Sequence, residues 1–319
     1  MTARTLITLL LVVLLMSLER MLPEFYLFQI CLIASMAVIV LGLVVVSGLA
    51  GQVSLAQAAF VALGSYGAAI LEARLGIPVM AGIPIAAVLS GLVGYALGFI
   101  TLRVSGHYLA LATMAFTAIV QIALINLDDW TGGAAGMAFP PMTLAGRTLS
   151  TANDMFYVIM PVTILMFLWM LNVIRSRYGR DFSAIRDSET AASAMGIHVL
   201  RYKSMAFAMS AFLGAMGGGM LAVISTYLDP AQYGILQSVH YLAVAVIGGV
   251  GTPLGAIIGS LIFTIIPDLL QAFQSYLGLV FALMLLGFIV IHPAGVASLI
   301  ALWSKSFRQW LGPGKRTSP

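Results

Sequence analysis

The sequence predicts an all-α polytopic membrane protein with about ten transmembrane segments and both termini inside the cell. Of 319 residues, 61% are hydrophobic and 8% are charged, against about 25% charged residues in a soluble domain. Charged residues are absent from long stretches such as 25–71, 204–228 and 230–267, each of which is long enough for at least one spanning helix. The unbroken apolar runs lack the short alternation of barrel strands, so helices are the expected way to satisfy the backbone in lipid.

The first predicted segment, 5–18, is short and follows Arg4, as the core of a signal peptide does. Because the residues after it lack a small-x-small cleavage pattern, we expect an uncleaved helix. The other predicted segments are 27–50, 56–73, 78–102, 107–127, 155–174, 204–227, 239–249, 254–272 and 277–295.

The orientation follows from the basic residues. Of the 15 Lys and Arg residues, six lie in the loop 175–203 and four in the tail 297–319, which predicts that both segments are cytoplasmic. The acidic loop 128–154 is expected outside, and Arg74 is the one basic residue on the wrong side. Five segments on either side of that loop make an inverted repeat possible.

A helix break is predicted within 230–304, because the tail ends inside only if that region crosses the membrane an odd number of times. The glycine- and proline-rich turn that provides the break contains Gly248, Gly249, Gly251 and Pro253.

Two kinds of transport machinery are missing from the sequence. No acidic, basic or histidine residue is predicted at mid-membrane depth, which argues against an ion-coupled carrier. No phosphate-binding loop is present, so this chain is expected to have no ATPase activity of its own. No nucleophile–base pair or metal cluster stands out within the bundle, so we expect no other enzymatic activity and no cofactor. The single Cys31 excludes a disulfide within the chain.

Polar residues interrupt two of the predicted spans. One set predicts an irregular element near a pathway through the bundle: Gly51, Gln52, Ser54 and Gln57. The other set shares one helix face: Thr113, Thr117 and Gln121. This second set either lines the pathway or forms interhelical hydrogen bonds.

The loop 175–203 carries features of a partner surface. Ser188 is suited to cap a short helix over 189–195, and Gly196 is suited to end it. Met195 and Ile197 then offer apolar side chains at its end. An ordinary basic loop that fixes topology needs neither feature, so we favour docking.

Several blocks resemble branched-chain amino acid ABC permeases, of the LivM type rather than the LivH type. They occur in order as GQVSLAQAAF at 51–60, GSY at 64–66, LRVSGHY at 102–108, ATMAF at 112–116, TGG at 131–133, SRYGR at 176–180, AIRD at 184–187, GGVGTPLG at 248–255 and PAG at 293–295. Ala56 stands where the family pattern has glycine. The resemblance covers roughly 40–296 and implies the fold of the larger, type II ABC importers.

The resemblance also implies roles and partners. The loop residues that receive the ATPase would be Arg180, Ile185, Arg186, Asp187, Ala191, Ala192, Met195, Gly196 and Ile197. Those of an external gate, or of the surface that meets the binding protein, would be Thr131, Gly132 and Gly133. The implied partners are a homologous permease, two ATP-binding subunits that hold ATP and Mg²⁺, and a periplasmic solute-binding protein. Nucleic acid is not an expected partner, since basic loops explain the pI near 9.3.

Three interpretations stay open from the sequence. The first is an importer subunit for Leu, Ile and Val in the bacterial inner membrane. The second is the same machine carrying urea, short-chain amides or aromatic acids. The third, which the lack of intramembrane charge opposes, is an ion-coupled secondary carrier.

Overall fold

A computed structural model describes residues 22–101, 107–144, 147–149 and 151–269, with the single positions 283, 287 and 296. The helices are α1 Glu24–Leu43, α2 Gln57–Leu75, α3 Val79–Thr101, α4 His107–Asn126, α5 Asp128–Thr131, α6 Ala152–Arg175, α7 Arg177–Asp187, α8 Glu189–Ala194, α9 Val199–Ser225, α10 Ile235–Gly248 and α11 Pro253–Leu269. A π-helical segment, Val44–Leu49, continues α1, and 3-10 turns cover Gly133–Ala135 and Pro230–Tyr233. The short strands are β1 Met137–Ala138, β2 Thr143–Leu144, β3 Arg147–Thr148 and β4 Tyr227–Leu228.

The described chain is a mostly helical polytopic membrane protein. Within the described ranges, six helices are long and apolar enough to cross a membrane, namely α1 with its π segment, α2, α3, α4, α6 and α9. The pair α10 and α11, bent by 115°, gives a seventh if it counts as one span. The predicted segment 5–18, the tail 297–319, and the segment 277–295 apart from the single positions 283 and 287 lie outside the described residues. The count of ten, the orientation and the inverted repeat therefore stay predictions.

The helix α9 lies at the centre of the bundle, against α1, α2 and α3. Its consecutive glycines 217–219 each face a different one of these helices. A methyl group on them would lie 2.8 Å from Ser35 O, 2.4 Å from Val61 O and 2.7 Å from an Ile83 methyl group, respectively. Only glycine allows three helices to approach one turn this closely, as small residues do at helix contacts in membranes.

The bundle has two distinct ends, which α9 joins. At its N-terminus lie α7 and α8, and we call this the loop end. At its C-terminus β4 pairs antiparallel with β1, with Met137 opposite Leu228, and we call this the strand end. The strand end also carries the hairpin of β2 and β3, in which Thr143 pairs with Thr148. The predicted outer loop 128–154 thus has regular structure of its own.

Candidate functional site

The connection between α1 and α2 is non-helical, as its glycine and polar residues predict. After the π segment, Gly51 adopts φ +67°, and the Gln52 amide donates to Val46 O at 2.9 Å. Regular helix resumes at Gln57, so residues 50–56 form an irregular connection. Gln52 and Ser54 are buried within it, where Ser54 Oγ accepts from the Ala56 amide at 3.3 Å. Gly51 and Val53 of the connection are exposed, so protein encloses it only in part. Irregular backbone is tolerated at membrane depth where it is buried in protein or lines a water-filled cavity.

Two threonines of α4 hold the irregular connection at Leu55. Thr113 Oγ1 accepts from the Leu55 amide at 3.0 Å, and Thr117 Oγ1 donates to the Leu55 carbonyl at 2.7 Å. Both threonines are fully buried. Leu55 lies outside regular helix, so its amide and carbonyl have no partners within a helix. The two threonine hydroxyl groups together provide those hydrogen bonds. The sequence predicted that this polar face of α4 either lines the pathway or makes hydrogen bonds between helices. The structure shows hydrogen bonds from its two threonines to the irregular connection.

Gln57 joins three helices at the start of α2. Its Nε2 donates to Ile39 O of α1 at 2.7 Å, and its Oε1 accepts from Ser210 Oγ of α9 at 3.0 Å. Ser238 of α10 adds a fourth element, because its Oγ accepts from the Ala58 amide at 3.0 Å. Ser210 and Ser238 were not predicted as partners, since a lone serine in an apolar helix gives no signal of what it faces.

Gln121 lies apart from the two threonines, nearer the strand end. Its side chain contacts Gly234 and donates to Pro230 O at 3.4 Å. Beside it, burial raises the pKa of the Tyr233 phenol to about 12, so this group stays protonated in the physiological range. Of the predicted pathway residues, Thr113 and Thr117 therefore meet the irregular connection, and Gln121 does not.

The threonine and glycines of the predicted external gate form a tight turn at the strand end. Thr131 is buried and its Oγ1 donates to the carbonyl oxygens of Leu124 at 2.6 Å and Leu127 at 2.8 Å. Gly132 and Gly133 have φ values of +75° and +59°. A methyl group on Gly133 would also lie 1.8 Å from Asp128 Oδ1. The motif thus fixes the conformation of this turn, while its part in gating stays a prediction.

Arg74, which the topology placed on the wrong side, caps this same turn. Its guanidinium lies 5.1 Å from the centre of the Trp130 ring and donates to Asp129 O. Arginine over indole is a favourable cation–π arrangement. A structural role at the strand end therefore accounts for this residue.

The loop end contains two capped helices rather than the one predicted. Ser176 Oγ accepts from the Tyr178 amide at the start of α7, and Ser188 Oγ accepts from the Ala191 amide at the start of α8. As predicted, Gly196 follows α8 in the left-handed conformation, with φ +83°. The helix α7 was not predicted, although its apolar residues Phe182 and Ile185 recur at helical spacing.

The predicted docking residues divide into two groups. Exposed on the surface are Arg180, Arg186, Asp187, Ala191, Met195 and Gly196, with Ile197 half-buried. Met195 is 84% exposed, which is unusual for a large apolar side chain. Ile185 and Ala192 instead face inward, at 1% and 3% exposure, because they are the core-facing positions of two amphipathic helices. They support the surface rather than form it.

Arg186 and Glu189 make polar contacts from the loop end to the bundle, beside the packing of Tyr178 and Phe182 on Tyr202 of α9. Arg186 Nη1 of α7 donates to Gly48 O in the π segment at 2.9 Å. Glu189 of α8 pairs with the buried Lys203 of α9 at 2.5 Å. The first contact joins residues 138 positions apart and the second joins consecutive helices, and residue spacing alone reveals neither.

The helix break falls where the sequence places it. α10 ends at Gly248, Gly249 adopts φ +111°, and Pro253 begins α11. A methyl group on Gly248 would lie 2.0 Å from Gly255 O, so the two helices are in close contact at the bend. Gly251 has open space around it, and its backbone is not in the left-handed conformation. The bend therefore does not require glycine at this position.

These features together define a polytopic helical membrane protein with a structured loop end and a glycine-dependent bundle core. In the described part of the chain, no three His, Cys, Asp or Glu side chains come together as a metal site. Residues 25–291 match the family described as branched-chain amino acid transport system, permease component. The chain belongs to this family.

Individual relatives agree with the family assignment. The chain is 29% identical over 280 residues to the high-affinity branched-chain amino acid transport system permease protein LivM of Escherichia coli, covering 80% of this chain and 66% of LivM. It is 28% identical to the permease protein LivH of the same organism, covering 82% of this chain and 90% of LivH. The autoinducer 2 import system permease protein LsrC of Klebsiella pneumoniae is 29% identical over 46% of this chain and 43% of LsrC. The match thus spans just under two thirds of LivM, and no solved structure matches the chain.

Proposed function

We propose that this chain is the membrane-spanning permease subunit of an ATP-driven importer for branched-chain amino acids or closely related small solutes. The observation that carries the proposal is the family match over residues 25–291, which covers every described helix except the first residue of α1. The relatives named LivM and LivH support Leu, Ile and Val as the solutes. The bundle would carry them across the bacterial inner membrane by alternating access.

Energy would come from two ATP-binding subunits at the loop end. The observations in favour are the two capped helices, the 84% exposed Met195 beyond α8, and the arginines around them. An apolar side chain held in the open by a capped helix is suited to insert into a partner's groove. The same basic residues favour a cytoplasmic position for the loop end by the positive-inside rule.

The strand end would then face the periplasm and meet the solute-binding protein. Its rigid turn at Thr131, Gly132 and Gly133 and the paired strands β1 and β4 form a preorganised surface for a protein partner. A homologous permease would complete the pathway. In this chain the pathway would run beside Gly51, Gln52, Ser54 and Gln57, where the backbone departs from helix. The chain itself would need no cofactor, because its partners hold ATP and Mg²⁺.

One specific observation leaves the identity of the cargo open. LsrC, whose name assigns it to autoinducer 2 import, matches part of this chain at an identity similar to that of LivM. The family scaffold therefore does not by itself fix the solute. Urea, short-chain amides or aromatic acids are the alternative cargoes for the same importer.

Co-purification tests the proposal. The chain is tagged at its C-terminus, purified in mild detergent from its native host, and analysed by mass spectrometry. Wild type should recover a second permease and ATP-binding subunits, and Met195→Asp should lose the ATP-binding subunits because a charge opposes burial of the docking side chain. Ala134→Asp, an exposed change at the strand end, is the matched control and should keep them.

Two outcomes decide against the proposal. Recovery of the wild-type chain alone, with solute uptake into proteoliposomes that needs an ion gradient and no ATP, identifies a secondary carrier. Equal recovery of ATP-binding subunits by wild type and Met195→Asp would show that these subunits dock on a surface that does not include Met195. The cargo is assigned separately, by measuring which amino acid or amide binds to the co-purified solute-binding protein.

A further inference from the structure

Arg186 connects α7 to the end of the π segment. Its Nη1 donates to Gly48 O at 2.9 Å. Gly48 lies in the last turn of the helical run that ends at Leu49, where backbone carbonyls lack partners from their own helix. A cation placed there also interacts favourably with the negative end of the helix dipole. The contact is therefore a specific one, between a fixed charge and a helix terminus of another element.

The position of Arg186 is constrained from two further directions. Its Nε and Nη2 both lie 3.3 Å from Asp187 Oδ1, which leaves Nη1 directed toward Gly48. The aliphatic part of the side chain packs on Gly51, where a methyl group would lie 2.7 Å from Arg186 Cγ. Gly51 also has φ +67°, a conformation that residues with a side chain disfavour. Glycine is therefore needed here both for its backbone conformation and because Arg186 leaves no room for a side chain. Movement of α7 therefore acts directly on the start of the irregular connection.

The far end of the same connection is held by a different helix. Thr113 and Thr117 of α4 fix both backbone groups of Leu55, seven residues beyond Gly48 in the sequence. The connection is thus attached to α7 at one end and to α4 at the other. Because a short segment fixed at both ends cannot absorb a displacement freely, a shift of α7 must reshape it or move α4.

The second polar contact of the loop end reaches the central helix α9 and not the irregular connection. Glu189 of α8 pairs with Lys203, which is only 6% exposed and belongs to the central helix α9. This pair attaches α8 to the most enclosed helix of the bundle. Their polar contacts therefore differ: Arg186 of α7 reaches the π segment and Glu189 of α8 reaches α9, on which α7 also packs where Phe182 meets Tyr202.

We propose that Arg186 is the positioning residue that transmits displacement of α7 to the connection 50–56 and through it to α4. The proposal rests on the proposed function, in which ATP-binding subunits move the loop end. Arg186 then serves the coupling of ATP hydrolysis to transport, while Met195 serves docking. The π segment beside it favours this role, since such segments recur at functional sites in helices.

The test measures docking, ATP hydrolysis and solute uptake on the same complex, reconstituted in proteoliposomes with its binding protein. Arg186→Gln should keep the ATP-binding subunits and hydrolyse ATP, while solute carried per ATP falls about tenfold, within the usual range of coupling between sites. Arg186→Lys retains the charge but not the two-point contact with Asp187, and should recover part of the loss. Arg201→Gln, an exposed arginine at the same end, is the control and should match wild type.

Asp187→Asn provides an independent variant that does not threaten folding, because the Asp187 side chain is 65% exposed. It should lower the same ratio in the same direction by a smaller factor. An unchanged ratio in both Arg186→Gln and Asp187→Asn overturns the proposal. Loss of the ATP-binding subunits from Arg186→Gln also overturns it, by making Arg186 a docking residue. Failure of the wild-type chain to recover those subunits rejects the proposed function instead, which is a separate result.

Discussion

At the bend between α10 and α11, neighbouring glycines meet different physical constraints. Gly248 lies against the backbone of Gly255, and Gly249 has the left-handed φ of +111° that side chains disfavour. Gly251, three residues along, has neither a close neighbour nor a positive φ. A cluster of glycines in a sequence therefore marks the bend without revealing which of them the bend requires.

This difference predicts the outcome of two alanine substitutions. Gly248→Ala should destabilise the protein by about 1–3 kcal/mol, because the added methyl group overlaps a carbonyl oxygen that belongs to rigid backbone. Gly251→Ala should leave stability nearly unchanged and is the matched control. Thermal unfolding in one detergent measures both, and equal midpoints would show that α11 can shift away from α10 at little cost.

The hydroxyl of Thr117 supports a second prediction at the same scale. Thr117→Val keeps the shape of the side chain but removes the donor to the buried Leu55 carbonyl, at a cost of about 1–3 kcal/mol. Thr117→Ser keeps the donor and should lose much less. Denaturant unfolding of the purified chain compares them. A stable valine variant would mean that another donor reaches Leu55, and the connection would then not depend on α4.

Among the elements, the paired helices α7 and α8 show how far the sequence could be interpreted. Ser188 and Gly196 predicted the start and end of α8, because caps are set by the local backbone. The positions of Ile185 and Ala192 were not predictable in the same way. Ile185 is a core residue because α7 forms and packs against the bundle, and Ala192 is one because α8 does the same. The many charged residues of α7 make its helical periodicity hard to recognise in the sequence.

The attachment of α8 predicts a coupled pair of substitutions. Glu189→Gln leaves the nearly buried Lys203 ammonium without its carboxylate, which should cost about 1–2 kcal/mol; the half-exposed glutamate keeps the loss below that of a fully buried pair. Adding Lys203→Met should return part of that stability, so the two changes should not be additive. Limited proteolysis of 175–203 and thermal unfolding measure the effect. Additive losses would show that the pair does not hold α8.

For the whole molecule, composition and apolar runs were enough to predict a helical membrane bundle, since both follow from the solvent. The irregular connection was predictable because Gly51 and Gln52 interrupt an apolar run. Its partners were not, since the backbone groups of Leu55 and Gly48 carry no sequence signal. Thr113, Thr117 and Arg186 show their roles only when the chain is folded, because each bonds to the backbone of another element.

The orientation of the bundle can be tested with the single cysteine. Cys31 is 1% exposed, so the wild-type chain should not react with a membrane-impermeant maleimide, and Cys31→Ala provides a cysteine-free background. In that background Ser193→Cys places a thiol on α8 at the loop end, and Ala134→Cys places one at the strand end; both positions are exposed. Because the basic residues gather at the loop end, Ser193→Cys should be labelled in inside-out vesicles and Ala134→Cys in intact spheroplasts.

The two labelling experiments also separate the possible errors in the topology. Exchange of the two patterns would invert the whole bundle and remove the proposed docking surface from the side where ATP is available. Labelling of both thiols from one side would require an even number of crossings between positions 134 and 193, whereas α6 alone gives one. Since α9 carries the chain from the loop end back to the strand end, the same result would contradict its passage through the membrane. The expected pattern labels Ser193→Cys from the cytoplasmic side and Ala134→Cys from the outside. It therefore requires both the orientation given by the positive-inside rule and the antiparallel course of α6 and α9.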